Sequence, residues 1–181
     1  QNKELSENEN LFFSLLKQYG VDIGVLAIFF LNVVHLKSGE AIFTPAGIPH
    51  AYLEGNIVEC MANSDNVVRA GLTPKFKDIE QLKSILIYEF GKIDLLGKQL
   101  NKNTVEYPIN VDEFFIEKFK LNNDKINYST NNSIEILLVV EGELVCNNVI
   151  VKKGETVLLP ALLNKIFIVG NALFFRVGVP Q

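Results

Sequence analysis

The chain has 181 residues, of which 48% are hydrophobic and 21% charged, as expected for a globular protein with one sizeable core or two small ones. Its net charge of -4 provides no broad basic surface, so neither nucleic acid nor an anionic membrane is an expected partner. The longest apolar run, 23–31, is too short to cross a bilayer, and no secretory leader is recognisable, so we expect a cytoplasmic protein.

Cysteine and histidine are scarce. Cys60 and Cys146 are the only cysteines, which excludes a disulfide framework and a zinc knuckle and predicts two reduced core thiols. His35 and His50 are the only histidines. A zinc site built mainly of imidazoles therefore cannot be assembled within one copy of this chain.

The first 20 residues predict a helix. Ser6 with Glu9 three residues later forms a capping box, and apolar residues recur at helical spacing until Gly20. One amphipathic helix cannot bury its own apolar stripe. We therefore expect residues 1–20 to be the end of a helical domain and to pack on a partner elsewhere.

From residue 21 the pattern changes to short apolar or alternating runs divided by turn residues, which is typical of a β-sandwich or barrel. The expected strands of this first β segment are 31–36, 41–44, 50–53, 57–62 and 67–72.

A second helix is predicted at about 78–90, with Asp78 as its N-cap, and the polar residues 91–110 predict a linker or long loop. A second β segment follows at about 111–179, in which Asn147 and Asn148 suit a two-residue hairpin. Its expected strands are 134–140, 144–146, 149–151, 156–159, 165–169 and 173–177, and its expected turns are 141–143, 147–148 and 152–155.

The two β segments contain an internal repeat. GEAIFTPAGIPH at 39–50 aligns with GETVLLPALLNK at 154–165, each with a turn, a strand, a proline and a bend. The first copy matches the second cupin motif, G-x5-P-x-G-x2-H, and ends at His50, the position of a metal ligand in cupins. The second copy has Lys165 there, which is a poor ligand for a divalent metal, so we predict a metal-free second barrel. His35 has no histidine two residues away and is predicted to be an ordinary strand residue.

A longer resemblance covers residues 31–78 and includes PHAYL at 49–53 and SDNVVRAGLTPK at 64–75. This stretch is similar to the signature region of type I phosphomannose isomerases, which are zinc-dependent sugar-phosphate isomerases of the cupin fold. Weaker similarity extends to residues 22–24 and to 175–177. The resemblance implies a mainly β double cupin and identifies the chain as the C-terminal part of such an enzyme.

The resemblance also implies a role for particular residues. His50 would be one of four zinc ligands, and the other three, a Gln, a His and a Glu, lie in the N-terminal half of family members, which is the expected partner of this chain. Arg69 would be the active-site arginine, and Asp65 would orient the site. Glu59 and Tyr52 would line the pocket, with Lys75 contacting the substrate near its phosphate. The reaction would interconvert mannose 6-phosphate and fructose 6-phosphate.

These residue types suit the chemistry of moving a carbonyl from C1 to C2 through an enediolate. Zinc can polarise the carbonyl, and a fixed guanidinium can stabilise the developing oxyanion. Glu59 is a candidate base, with a water on the metal and a residue outside the chain as the alternatives. Without the resemblance, Arg69 and Glu59 would be outward-facing strand residues, Asp65 part of a turn and Lys75 a solvated charge. His50 would then be a ligand or a hydrogen-bonded structural histidine.

The predicted organisation has four parts. These are a helix at 1–20, the second half of the catalytic barrel with a helix at 21–91, a linker at 92–110 and a metal-free cupin barrel at 111–181. The leading hypothesis is an isomerase to which this chain supplies only part of the active site, so that the chain alone would be inactive. The alternative is a non-catalytic cupin module that binds sugar phosphates or oligomerises. An iron-dependent cupin oxygenase is disfavoured, because no site of two histidines and one carboxylate is evident.

Overall fold

A computed structural model describes residues 4–64 and 66–180, and the chain divides into two compact units. The first, here called the helical unit, comprises Gln1–Lys37, Thr44–Gly55 and Asp65–Asp94. The second, the sheet unit, comprises Ser38–Phe43, Asn56–Ser64 and Leu95–Gln181. No helix in the described part of the chain combines the length and apolar character that a membrane span requires.

The first helix, α1 (Glu7–Tyr19), begins and ends where its sequence predicts. Ser6 is the N-cap: its Oγ accepts a hydrogen bond from the Glu9 N–H at 3.3 Å, and Glu9 Oε2 accepts one from the Ser6 N–H at 2.7 Å. A 3-10 helix at Ile23–Phe29 follows, which the sequence interpretation did not include. It supplies α1 with apolar contacts, since the rings of Phe12 and Phe29 lie 5.5 Å apart.

The second helix, α2 (Ile79–Ile85), is capped by Asp78 as predicted but ends five residues earlier than 90. Leu86 already has an extended backbone, with ψ of 133°. The N–H of Ile87 donates to the carbonyl of Gly47 at 3.0 Å instead of continuing the helix. A tertiary hydrogen bond therefore determines where α2 ends.

The five strands expected in the first β segment are not present as regular strands in residues 4–64 and 66–180. The described part of this segment contains one isolated bridge, between Ala41 and Leu96 within the sheet unit. A strand is stable only when a neighbouring strand satisfies its backbone hydrogen bonds. These runs have the composition of strands but lack a paired neighbour among the described residues.

The sheet unit is built on one antiparallel sheet, so the predicted mainly β class is confirmed. Its order is β1-β2-β3-β7-β4-β5, and β6 also pairs with β4. The strands are β1 (Lys98–Asn101), β2 (Thr104–Glu106), β3 (Phe115–Tyr128), β4 (Glu135–Cys146), β5 (Val149–Lys152), β6 (Thr156–Leu159) and β7 (Ile166–Gly178).

Several local predictions for this unit are confirmed and others are wrong. Asn147 and Asn148, with φ of 45° and 70°, form the hairpin turn between β4 and β5 as expected. The turn expected at 141–143 is instead a paired part of β4 that directly follows a bulge near residue 140. The runs expected at 165–169 and 173–177 lie in a single strand, β7, which begins at Ile166. Residues 91–110, expected to be a loop, contain the hairpin of β1 and β2.

Two bulges keep the apolar side chains on the core side of the sheet. In β3 the inward residues are Phe119 and Leu121 before the irregularity at Asn123, and Ile126 and Tyr128 after it. In β4 they are Leu137 and Val139 before the shift near residue 140, and Leu144 and Cys146 after it. One extra residue reverses the alternation of side chains, so each bulge restores inward placement for the second half of its strand.

Gly142, just after the bulge in β4, is in tight backbone contact with β7. Its φ is +71°, and a Cβ added there would overlap the carbonyl oxygen of Asn171 on β7. A side chain at this position would therefore suffer both an unfavourable backbone conformation and a clash with a neighbouring strand.

We predict that Gly142→Ala destabilises the sheet unit much more than Gly154→Ala. Both glycines have positive φ, at +71° and +84°, but a Cβ at Gly154 meets no atom within 4 Å. The control substitution should cost about 1–2 kcal/mol for its backbone conformation. Gly142→Ala should cost about 1–3 kcal/mol more for overpacking. Thermal unfolding followed by circular dichroism measures both. Equal shifts in Tm would show that Gly142 is not in tight contact with β7.

Candidate functional site

The bend that precedes His50 is held by packing within the helical unit. Gly47 has φ of +82°, and a Cβ there would lie 2.7 Å from the carbonyl oxygen of Ile85. The N–H of Ile48 donates to the carbonyl of Pro45 at 3.3 Å, which closes the turn. The Pro-x-Gly spacing of the motif therefore has a physical reason. Proline sets the entry of the bend, and only glycine fits against the end of α2.

His50 has one ring nitrogen, Nε2, without a hydrogen-bond partner among the described residues. Its Nδ1 lies 3.0 Å from the carbonyl oxygen of Ile48. A carbonyl can only accept, so this contact assigns the proton of a neutral imidazole to Nδ1 and the lone pair to Nε2. Metal-binding histidines commonly donate one ring N–H to a carbonyl in this way, which fixes the ring and makes the other nitrogen a ligand. The side chain is exposed, and the Tyr52 ring lies 5.9 Å from it at 56°.

The described residues do not provide a full set of metal ligands. No group of three His, Cys, Asp or Glu side chains lies close enough together to hold a metal within 4–64 and 66–180. His50 therefore suits a zinc ion as one ligand of a larger set. An imidazole nitrogen such as Nε2 is a suitable zinc ligand, but the described residues supply too few ligands to hold the ion.

Arg69 and Lys75 lie on one loop of the helical unit, and both side chains are exposed. The loop reverses direction at Leu72, whose φ is +54°. The N–H of Lys75 donates to Thr73 Oγ1 at 3.2 Å, which shapes the turn just before the lysine. This loop includes the second half of the signature SDNVVRAGLTPK and exposes both of its cations to solvent.

The remaining predicted site residues are distributed differently. Tyr52 is near His50, as described above. Glu59 is exposed and belongs to the sheet unit, between the partly buried Val58 and Cys60. Asp65 lies outside the described residues. The arrangement within the helical unit thus brings Tyr52 to His50, and it carries Arg69 and Lys75 on one loop.

The other candidates behave mostly as ordinary residues. His35 is exposed and outside any strand, so its predicted strand location is wrong; its Nε2 lies 2.6 Å from Glu7 Oε1 on α1. Cys60 and Cys146 are free thiols, as predicted. Burial raises the pKa of both thiols. Neither cysteine is therefore activated as a nucleophile or metal ligand.

The second copy of the repeat has Lys165 at the position of His50. Lys165 is exposed, and its carbonyl accepts a hydrogen bond from Asn147 Nδ2 at 3.1 Å.

Inside the sheet unit, Arg176 pairs with Glu117 at 2.6 Å and stacks 4.7 Å above the Tyr128 ring. The Tyr128 hydroxyl donates to buried Glu135 at 2.9 Å. These buried polar groups satisfy one another.

The buried cluster was not identified from the sequence. Burial raises the pKa of Glu135, and the nearby Arg176 guanidinium and Tyr128 hydroxyl oppose that rise. Burial and the Glu135 carboxylate raise the pKa of Tyr128 as well. An arginine directly after two phenylalanines near the end of β7 was the available signal, but its two carboxylate partners come from other strands.

The sequence interpretation also missed Asp22 and Lys77, which contact each other in the helical unit at 3.1 Å. A local signal existed for Asp22, because an aspartate two residues before glycine often caps a turn through its side chain. None existed for the pairing, since the partners are 55 residues apart.

The chain is similar in sequence to known proteins over most of its length. A sequence model described as "Mannose-6-phosphate isomerase, cupin domain" matches residues 103–179. Mannose-6-phosphate isomerase 2 of Arabidopsis thaliana is 41% identical over 167 residues, covering 89% of this chain and 38% of that protein. A probable mannose-6-phosphate isomerase of Dictyostelium discoideum is 42% identical over 153 residues, covering 81% of this chain and 34% of its own length.

Solved structures agree with the sequence comparisons. The apo form of mannose 6-phosphate isomerase from Salmonella typhimurium superposes with a TM-score of 0.88 at 33% identity, over 99% of this chain and 48% of that one. A zinc-bound structure of mannose 6-phosphate isomerase gives a TM-score of 0.88 at 33% identity, over 99% and 47%.

The chain spans less than half the length of these curated relatives and solved structures. The predicted cupin-type fold is confirmed by the family match and by the structural similarity. By sequence and by fold, the chain belongs to the mannose-6-phosphate isomerase family, the type I phosphomannose isomerases.

Proposed function

We propose that this chain supplies part of the active site of a zinc-dependent isomerase that interconverts mannose 6-phosphate and fructose 6-phosphate. The observation that carries the proposal is the geometry of His50. It occupies the ligand position of the cupin motif, and its Nδ1–H bond to the Ile48 carbonyl leaves Nε2 available for a metal. Relatives of this chain bear the name mannose-6-phosphate isomerase, and one similar structure is described as zinc bound.

Zinc, when bound, would supply Lewis acidity that polarises the sugar carbonyl. In this proposal His50 holds the ion and the remaining ligands come from residues outside this chain. Two parts of the organisation predicted from the sequence accompany this proposal: residues 21–91 would contribute to the catalytic barrel, and 111–181 would form a metal-free barrel.

Arg69 would stabilise charge on the reacting atoms. The transfer of a proton between C1 and C2 places negative charge on the oxygens of the enediolate, and a guanidinium fixed beside them lowers the energy of that state. The exposure of Arg69 leaves its guanidinium accessible to such a ligand. Lys75, six residues further on the same loop, would bind the phosphate dianion as a point charge.

The other assignments rest on the resemblance. Tyr52, beside His50, would line the pocket at the metal. Glu59 is proposed as the base that carries the proton, and Asp65 as a residue that orients the site; for these two the support is sequence alone. In the described chain Glu59 is an exposed carboxylate, so it is accessible to solvent for proton exchange.

We predict that His50→Asn abolishes zinc-dependent isomerase activity in the native protein that contains this chain. The loss of a ligand should lower kcat/KM for mannose 6-phosphate by at least about 100-fold, because removing even an outer partner of a metal ligand commonly costs 10–100-fold. His35→Asn is the matched control and should leave kcat/KM unchanged, since the exposed His35 side chain pairs with Glu7 on α1 and has no part in the proposed site. A coupled assay of fructose 6-phosphate formation measures both. Retained activity in His50→Asn would contradict the assignment.

We also predict different kinetic effects for the two loop cations. Arg69→Met should lower kcat about 100- to 1000-fold, as does removal of a group that stabilises an oxyanion. Lys75→Met should mainly raise KM, by about 10- to 100-fold, because a hydrogen bond to a charged group contributes about 1.5–3 kcal/mol. Steady-state kinetics with mannose 6-phosphate separate the two. An unchanged kcat in Arg69→Met would exclude its catalytic role.

A second candidate function is a non-catalytic module that binds sugar phosphates. The observation that favours it is the lack of a three-ligand metal group among residues 4–64 and 66–180. Calorimetry with mannose 6-phosphate distinguishes the two functions. Binding without turnover in the native protein would support the module, and turnover would support the isomerase.

A further inference from the structure

The loop that displays Arg69 and Lys75 is tied to the start of the 3-10 helix at Ile23–Phe29. The tie is made by Asp22, the N-cap of that helix, and by Lys77, the last residue of the loop. Lys77 Nζ lies 3.1 Å from Asp22 Oδ2, and the two side chains are only 32% and 18% exposed. They are more enclosed than a typical surface ion pair, and both belong to the helical unit.

Asp22 contacts the loop and the helix at the same time. Its Oδ1 accepts a hydrogen bond from the Gly24 N–H at 2.7 Å, and the backbone of Leu72 is near enough to the carboxylate to help lower its pKa. The Gly24 N–H and the Lys77 ammonium together hold the pKa of Asp22 below its ordinary value. Since a lowered pKa keeps the carboxylate charged above about pH 4, the pair is fully formed at neutral pH.

Lys77 holds the other side of the same loop. Besides Asp22, its Nζ donates to the carbonyl of Thr73 at 3.4 Å. Asp22 thus faces the backbone of Leu72, and Lys77 donates to the carbonyl of Thr73, so two charged side chains that bind each other hold the centre of the loop. Arg69 is three residues before this centre, and Lys75 is two residues after it.

Backbone packing reinforces the tie. A Cβ added to Gly71 would lie 2.9 Å from Gly24 Cα, and a Cβ on Gly24 would lie 3.0 Å from Gly71 Cα. The loop and the helix start are therefore in backbone contact, with no side chain between them. This contact transmits the position of Asp22 directly to the residues beside Arg69.

We propose that Asp22 and Lys77 are positioning residues that hold the loop 69–77 and thereby fix Arg69 and Lys75 in the geometry that catalysis needs. The inference rests on the proposed function, because that function gives Arg69 and Lys75 their roles in catalysis and phosphate binding. A misplacement of about 1 Å in a catalytic group can lower the rate by up to about 100-fold. A carboxylate–ammonium tie at the centre of the loop is placed to prevent that misplacement.

The test compares Asp22→Asn, Lys77→Met, the double variant and Lys77→Arg in the native protein that contains this chain. Asp22→Asn keeps an acceptor for Gly24 but loses the charge that binds Lys77. Lys77→Arg keeps the cation. The matched control is Glu80→Gln with Lys83→Met, which removes an exposed ion pair of 2.8 Å within α2. That pair joins two residues of one helix and ties no loop.

Two quantities are measured, with Tm checked in parallel. One is kcat for mannose 6-phosphate, and the other is amide hydrogen exchange in residues 70–77. We expect Asp22→Asn and Lys77→Met each to lower kcat about tenfold and to speed loop exchange about tenfold. The double variant should be no worse than the more damaging single variant, because the two residues act as a unit. Lys77→Arg should stay within about threefold of wild type, and the control pair should change neither quantity.

The outcomes separate this inference from the proposed function. If the wild type is active and Arg69→Met is not, an unchanged kcat in Asp22→Asn and Lys77→Met overturns the positioning role alone. If the wild type does not interconvert the sugar phosphates, the proposed function fails, and exchange in the loop then decides whether the tie exists. Unchanged loop exchange in both single variants overturns the inference in either case.

Discussion

The contact between Gly47 and the end of α2 is the constraint on which the candidate site depends. A carbonyl of Ile85 lies where any side chain at residue 47 would point, and the Ile87 N–H is bonded to the Gly47 carbonyl. The bend before His50 and the C-terminus of α2 therefore determine each other. His50 follows three residues after this fixed point, and its own hydrogen bond to Ile48 sets the ring.

The second copy of the repeat shows what is lost without this constraint. Leu162 replaces the glycine and is 85% exposed, so no backbone is packed against it, and Lys165 replaces the histidine. The sheet unit is instead stabilised by its apolar core and by the buried group around Arg176. The two halves of the repeat thus share a pattern of turn, strand and proline, but only the first combines a tightly packed bend with a side chain suited to zinc.

Much of the local structure could be predicted from sequence because it depends on neighbouring residues. The capping box of α1, the Asp78 cap and the Asn147-Asn148 turn are of this kind. Features that depend on pairing between distant residues could not be predicted from sequence. The polar run around Asn123 hides β3, since a bulge interrupts its alternation.

The candidate site divides in the same way between local and long-range features. The ligand position of His50 follows from the spacing of its motif, whereas the pairing of Asp22 with Lys77 joins residues 55 positions apart. The runs at 31–36 and 50–53 have strand composition but no paired neighbour among the described residues, so composition alone overestimates their order. Pairing decides whether a strand forms, and single-sequence patterns do not contain it.

The central claim is that His50 binds zinc together with ligands that lie outside this chain. The most direct measurement is the zinc content, by elemental mass spectrometry after exhaustive dialysis, of the native protein and of this chain produced alone. We expect about one zinc per molecule in the native protein and essentially none in the isolated chain, because one histidine cannot hold a structural or catalytic zinc ion. Stoichiometric zinc in the isolated chain, or none in the native protein, would contradict the account.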